Sequence, residues 1–224
     1  MSFNIAIDGP AGAGKSTIAK KLAKKISFIY VDTGAMYRAM GYYFLQHGIQ
    51  AEEEEKIKEA CNDISVALAY ENGVQKVLLN GEDISGKIRQ EEVGNMASAT
   101  SGYGFVREKL LSLQQDMAAK HNVIMDGRDI GTCVLPNAQL KIFLTASVEV
   151  RAKRRYDELV EKGEHCNLVE IEKDISERDY RDMHREIAPL KAAEDAVMLD
   201  SSNLNIDEVV EVIYEQAKKA GLKA

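Results

Sequence analysis

Eight residues near the start of the chain, Gly9-Pro10-Ala11-Gly12-Ala13-Gly14-Lys15-Ser16, fit a pattern of glycine, four free positions, then Gly-Lys-Ser/Thr. Glycines let the backbone turn so that successive N–H groups converge on one concavity, which suits a polyphosphate. In that pattern Lys15 reaches the β- and γ-phosphates, and the Ser16 hydroxyl takes a Mg²⁺ position, partly through water. Thr17 completes the donor-binding stretch. Further along, two clusters of arginine recur at helical spacing: Arg151, Arg154 and Arg155, then Arg178, Arg181, Asp182 and Arg185. The second set shares one helical face. Asp126-Gly127-Arg128-Asp129 adds charged groups in a single short stretch, and Arg38 and Arg107 stand alone. A phosphate cradle with gathered guanidinium groups is equipment for moving a phosphoryl group. The competing interpretation of the second cluster is an ion-paired surface helix, because Glu177, Asp179 and Glu186 are interspersed.

These groups need elements to position them. Phe3–Ile7 reads as a short buried strand running into the glycine loop. After it Ile18, Ala19, Leu22, Ala23 and Ile26 recur at helical spacing, with Lys20, Lys21, Lys24 and Lys25 opposite. Strand, loop, helix is the required context, and the helix N-terminus lends its positive dipole end. A nucleoside-triphosphate site follows. A second strand, Phe28–Val31, ends in Asp32-Thr33-Gly34, and from Ala35 a helix buries Met36, Ala39, Met40, Tyr43 and Phe44. Ala51–Ile64 is a glutamate-rich helix. Ser65–Tyr70 and Gln75–Leu79, around the turn signals Glu71-Asn72-Gly73 and Asn80-Gly81, predict a small β-rich insert over Asp63–Arg89. Tyr103–Lys120 returns to helix with Val106, Leu110, Leu113 and Met117 inward. Val123–Met125, Leu140–Leu144 and Ala196–Leu199 are further strands, and Ile206, Val209, Val210, Ile213 and Ala217 mark a closing helix. Alternating strands and helices imply a parallel sheet covered on both faces. The expected fold is a three-layer α/β P-loop fold with a five-stranded parallel sheet. Asp126 ends a strand, where a doubly wound sheet places ligand contacts, and can help hold a Mg²⁺ water shell. Arg128 and Asp129 beside it can also simply pair with one another.

Composition narrows the class. The 224 residues carry 45% hydrophobic side chains and a net charge of −7, enough for a full core and unsuited to non-specific nucleic-acid binding. Cys61, Cys133 and Cys166 lack metal-site or disulfide-framework spacing. No signal-peptide pattern opens the chain, since residue 8 is already Asp, and no apolar run is long enough to span a bilayer. A soluble cytoplasmic protein without a membrane partner is expected. A regulatory GTPase would need a DxxG switch and an NKxD motif. Asp83-Ile84-Ser85-Gly86 matches the first only within the β-rich insert, and no NKxD exists. A small-molecule kinase fits better, with Arg151–Arg185 as a lid whose polar tip, Glu161–Leu168, is mobile and which excludes water on closing.

Three stretches carry a specific likeness: Ile7–Ser16, Asp32-Thr33-Gly34-Ala35-Met36-Tyr37-Arg38 and Asp126-Gly127-Arg128-Asp129-Ile130-Gly131-Thr132. With Lys141–Leu144, Arg178-Asp179 and Ala188-Pro189-Leu190, they make the chain resemble the bacterial cytidylate kinases over nearly its full length. The resemblance implies one kinase domain over 1–224, with a monophosphate-binding insert at about 63–100 and a short helical lid at about 151–185. It implies transfer from ATP, as co-substrate with Mg²⁺, to CMP or dCMP by a monomer with no nucleic-acid partner. Lys15, Asp126, Arg128 and Arg154 would be catalytic, and Gly9 to Thr17 would bind ATP. Tyr37, Arg38 and Arg128 would meet the acceptor phosphate. Ser98, Arg107 and Asp129 would read the base, with Thr33 at the edge. Arg178 and Asp182 would meet the ribose, braced by Arg185. Chemistry agrees on the base: Asp129 only accepts and suits cytosine N4, while Arg107 only donates and suits N3 and O2. Uracil reverses N3 and C4, so UMP is disfavoured. Another P-loop kinase acting on a different nucleotide or a sugar acid, or a non-catalytic nucleotide sensor, remains the alternative.

Overall fold

A computed structural model describes residues 2–223. The first strand, β1 (Asn4–Asp8), buries Ile5, Ala6 and Ile7 completely, and a strand apolar on both faces belongs in the middle of a covered parallel sheet. It sits there. With β2 (Ile29–Asp32), β6 (Val123–Gly127), β7 (Leu140–Thr145) and β8 (Val197–Asp200) it forms a five-stranded parallel sheet in the order β2-β6-β1-β7-β8. In the β1–β6 register Ile7 lies opposite Asp126 and Asp8 opposite Gly127. The loop after β1 and the loop after β6 therefore leave the sheet side by side.

Helices α1 (Lys15–Ile26) and α8 (Ile206–Lys219) cover one face, packing Ile18, Leu22, Val209 and Ile213 onto Ile5 and Ile7. The start of α8 is fixed by a capping box between Asn205 and Glu208. On the other face Ala6, Val31 and Met125 meet Ala118 of α5 (Gly104–Lys120) and Ile130 and Val134 of a π-turned segment, Ile130–Val134. The predicted three layers are present. A separate core joins α2 (Thr33–Gln46) and α3 (Glu54–Asp63) to the insert through Met36, Phe44, Ile57, Val77, Ile84 and Val93. The insert carries an antiparallel sheet, β3 (Val66–Glu71), β4 (Val74–Leu79) and the short β5 (Glu82–Asp83).

Two local expectations change. Helix α5 buries Val106 and Leu110 as expected, but continues with Gln114 and Ala118, leaving Leu113 and Met117 half-buried. An amide is accommodated there because its Nε2 meets the Met36 sulfur, 3.9 Å away. An additional helix, α4 (Glu91–Thr100), also appears. It lacks a broad apolar stripe because it crosses α2 closely: a Cβ on Gly41 would lie 2.9 Å from the Ala97 backbone nitrogen. That crossing sets Ser98 in place. Helices α6 (Val148–Glu161) and α7 (Leu168–His184) form the last hairpin before β8. Among the described residues no helix is long and apolar enough to cross a membrane.

Candidate active site

At the C-terminal ends of β1, β6 and β2 a cleft of about 1170 Å³ opens between the sheet, the insert and the α6–α7 hairpin. Its floor is the glycine loop. Gly9, Gly12 and Gly14 have φ of 150°, 74° and 82°, and a Cβ on Gly9 would lie 1.9 Å from the Leu144 carbonyl oxygen, so that position admits only glycine. Residues 11–17 line the cleft, whereas Gly9 and Pro10 lie beneath it. The Lys15 ammonium is buried and donates to the Pro10 carbonyl at 2.7 Å. Burial first, and Arg128 next, push its pKa well below the usual lysine range. A ligand phosphate would relieve both.

Ser16 and Asp126 come together as the pattern requires: Ser16 Oγ donates to Asp126 Oδ2 at 2.8 Å. Tyr30, which sequence reasoning passed over, donates its hydroxyl to the other carboxylate oxygen at 2.8 Å. Desolvation and the neighbouring Asp32 raise the Asp126 pKa. Among the described residues no group of three or more His, Cys, Asp or Glu side chains could hold a metal alone. One hydroxyl beside one carboxylate is instead the donor set of a Mg²⁺ that keeps its waters and shares substrate phosphates, so the residues fit that ion.

The acceptor side is a basic array threaded with three carboxylates. Arg128 Nε donates to Asp182 at 2.8 Å, so Arg128 pairs across to α7 and not with its neighbour Asp129. Asp129 pairs with Arg107 and lies 3.6 Å from Arg185 Nη2. The Arg107 guanidinium also stands 5.5 Å from the Tyr37 ring centroid and donates to the Ser101 carbonyl at 3.1 Å. Asp32 caps α2 by accepting from the Ala35 N–H at 2.9 Å and holds Arg38 at 3.3 Å. Thr33 Oγ1 donates to the Asp126 carbonyl at 2.7 Å.

Four buried polar atoms here have no hydrogen-bond partner: Arg38 Nε, Ser98 Oγ, Arg178 Nε and Arg185 Nη2. Buried donors left unmade are costly, and all four belong to residues that line this cleft. Burial first, then the neighbouring Arg128, bring the Arg178 pKa down to about 10.

The arginine clusters divide by role. Arg154 donates to the Ser201 carbonyl at 2.7 Å and lines the glycine-loop end of the cleft. Arg151, one turn away, is buried, paired with Asp179 at 2.7 Å and donating to the Ala11 carbonyl at 2.7 Å. Asp179 in turn accepts from the Ala11 N–H at 3.2 Å, so this pair staples the glycine loop to both hairpin helices. Arg155 is partnered by Glu158 at 3.0 Å. The spacing places Arg178, Arg181, Asp182 and Arg185 on one face, but only Arg178 and Asp182 of α7, with Arg185 at its C-cap, line the cleft, and Arg181 is exposed on the outer side beside Tyr180.

Residues 5–219 match the family model described as cytidylate kinase. The chain belongs to the cytidylate kinase family. It is 55% identical over 213 residues to the cytidylate kinase of Caldicellulosiruptor saccharolyticus, covering 95% of this chain and 94% of that one. To the cytidylate kinase of Lactobacillus johnsonii it is 51% identical over 217 residues, covering 97% and 94%. A solved gluconokinase from Sinorhizobium meliloti superposes with a TM-score of 0.51 at 13% identity, covering 97% of this chain and 92% of that one, which shows the shared fold alone. A kinase of this family accounts for both ends of the cleft, a phosphate loop and a separate basic array.

Proposed function

We infer that the protein transfers the γ-phosphoryl group of ATP to CMP or dCMP, giving ADP and CDP or dCDP. The observation that carries this reading is the buried acceptor array. Arg38, Arg128, Arg178 and Arg185 line one cleft with Asp129, which only accepts, and Arg107, which only donates, the group types that cytosine requires. The acceptor phosphate oxygen is nucleophilic enough without a strong base, so catalysis is positioning and charge neutralisation at a loose transition state. Arg38 and Arg128 hold the acceptor phosphate in line, and Tyr37 adds its hydroxyl. Lys15 leaves the Pro10 carbonyl for the β- and γ-phosphates, and Arg154 adds charge from the α6 side.

Mg²⁺ would be held by Ser16 with help from Asp126, and it would supply charge neutralisation for the transferring phosphoryl group. Arg178 and Asp182 meet the ribose, braced by Arg185, whose guanidinium also stands 3.6 Å from Asp129. The insert at about 63–100 serves as the monophosphate-binding part, and residues 151–185 close as a lid that keeps water from the donor. The protein is read as a monomer working in the cytoplasm. A coupled ADP-release assay across CMP, dCMP, UMP, AMP, GMP and shikimate tests the reading. Turnover on CMP and dCMP with weak UMP use is expected. Equal kcat/KM for UMP and CMP overturns the base assignment, and no turnover on any nucleotide overturns the function.

A further inference from the structure

Asp8 ends β1 one residue before the glycine loop and is 4% exposed, yet it has no part in the chemistry above. Both its oxygens are used. Oδ1 accepts from the Ile130 N–H and Oδ2 from the Gly131 N–H, each at 2.7 Å. These are the two residues directly after Asp129, so the carboxylate clamps the backbone at the point where the base-reading side chain departs. Gly131 is built for that approach: a Cβ there would lie 3.3 Å from Asp8 Oδ2 and 3.2 Å from Lys141 Cδ. No cation forms an ion pair with Asp8 among the described residues. A buried carboxylate held only by two backbone amides is expensive unless those amides need fixing.

We propose that Asp8 is a positioning residue for base selection: by bracketing Ile130 and Gly131 it sets Asp129 against Arg107, and so sets the discrimination of cytosine from uracil. The donor loop and the acceptor-reading loop are thereby tied at one carboxylate. An amide in its place keeps one acceptor but aims an N–H donor at a second N–H donor, so one bond is lost and the loop is pushed away.

The proposal rests on the CMP-kinase reading, and the test separates the two. CMP and UMP kcat/KM, ATP KM and Tm are measured for the wild type, Asp8→Asn and Gly131→Ala. A wild type without CMP preference overturns the functional reading itself. Given that preference, D8N is expected to raise CMP KM and cut the CMP-to-UMP ratio about tenfold, the scale of one misplaced base-edge contact, with ATP KM within about twofold. An unchanged ratio, or CMP and ATP constants worsening together, overturns the proposal. Where D8N does not fold, G131A decides by the same ratio, since its methyl group presses on the bracket without removing the carboxylate.

Discussion

Replacing Asp129 with Asn separates its structural and reading roles. The carboxylate is 4% exposed and lies between Arg107 and Arg185, whose side chains are 11% and 10% exposed. Removing one partner of a buried ion pair costs about 3–5 kcal/mol. Here both arginines keep carbonyl acceptors, Ser101 for Arg107 and Ala188 for Arg185, and the amide still offers an oxygen. The expected loss is therefore smaller, about 2–3 kcal/mol, or roughly 4–12 °C in Tm for a domain of this size. The reading role has its own scale. A correct base-edge pair is worth about 1–3 kcal/mol, a factor of roughly 5–150, and the amide can turn its NH₂ toward a uracil carbonyl. The CMP-to-UMP ratio of kcat/KM should fall by that factor, partly through gained UMP activity. Calorimetry with and without saturating CMP adds a second readout, because the variant should gain less Tm from the nucleotide than the wild type does. A variant that loses stability but keeps the wild-type ratio within twofold would refute the base-reading role and leave Asp129 as a structural counterion.

Lys15→Met should lower kcat by about 10²–10³-fold or more while Tm holds or rises, because a buried ammonium with a depressed pKa gives way to an apolar side chain; near-normal turnover would remove Lys15 from the mechanism. Ser98→Ala deletes a buried hydroxyl that has no partner, so stability should be unchanged within about 0.5 kcal/mol while CMP KM rises several-fold; lost stability with unchanged KM would reverse that assignment. The Asp8 pKa is raised to about 6, first by burial, with Asp129 raising and Lys15 lowering it and the Lys141 stem alongside. Between the ordinary carboxylate pKa and that value the folded chain holds a proton that the unfolded chain has released, so this group's contribution to stability falls as pH rises through the window. Wild-type Tm measured against D8N should therefore increase on acidification from pH 7 to about 4.5, while wild-type CMP selectivity declines below about pH 6. A Tm difference that stays flat or shrinks would contradict the shift.

Where local chemistry dictates geometry, the amino-acid sequence is a good guide. The glycine loop needs positive φ and a close backbone approach, which only glycine supplies, and strand and helix periodicity on either side confirm its setting. Arg178 and Asp182, one turn apart on α7, likewise reach the cleft together, although Arg181 at comparable spacing faces outward and Arg185 follows the end of the helix. Pairing across the fold is a different matter. Arg151 and Arg154 are one turn apart with equal standing in the sequence, yet one meets Asp179 and the other Ser201. Nothing local says which partner the topology will bring. Asp8 and Tyr30 escaped for the same reason, since their partners lie more than 90 positions away. Helix α4 was hidden by its own packing: the small residues that let it cross α2 closely erase the apolar stripe by which a helix is recognised.

The strand order also bears on how the protein is made. β1 is the centre of the sheet but the first strand to leave the ribosome, and its neighbours β6 and β7 begin only at Val123 and Leu140. At about 5–20 residues per second, roughly 6–23 s separate β1 from its first partner. β2 arrives early but cannot help, because β6 lies between it and β1. A nascent chain of that length carries a slot one strand wide, bounded by two open edges and apolar on both faces of β1. Such a slot accepts any extended apolar segment of suitable length, including β6 from another copy.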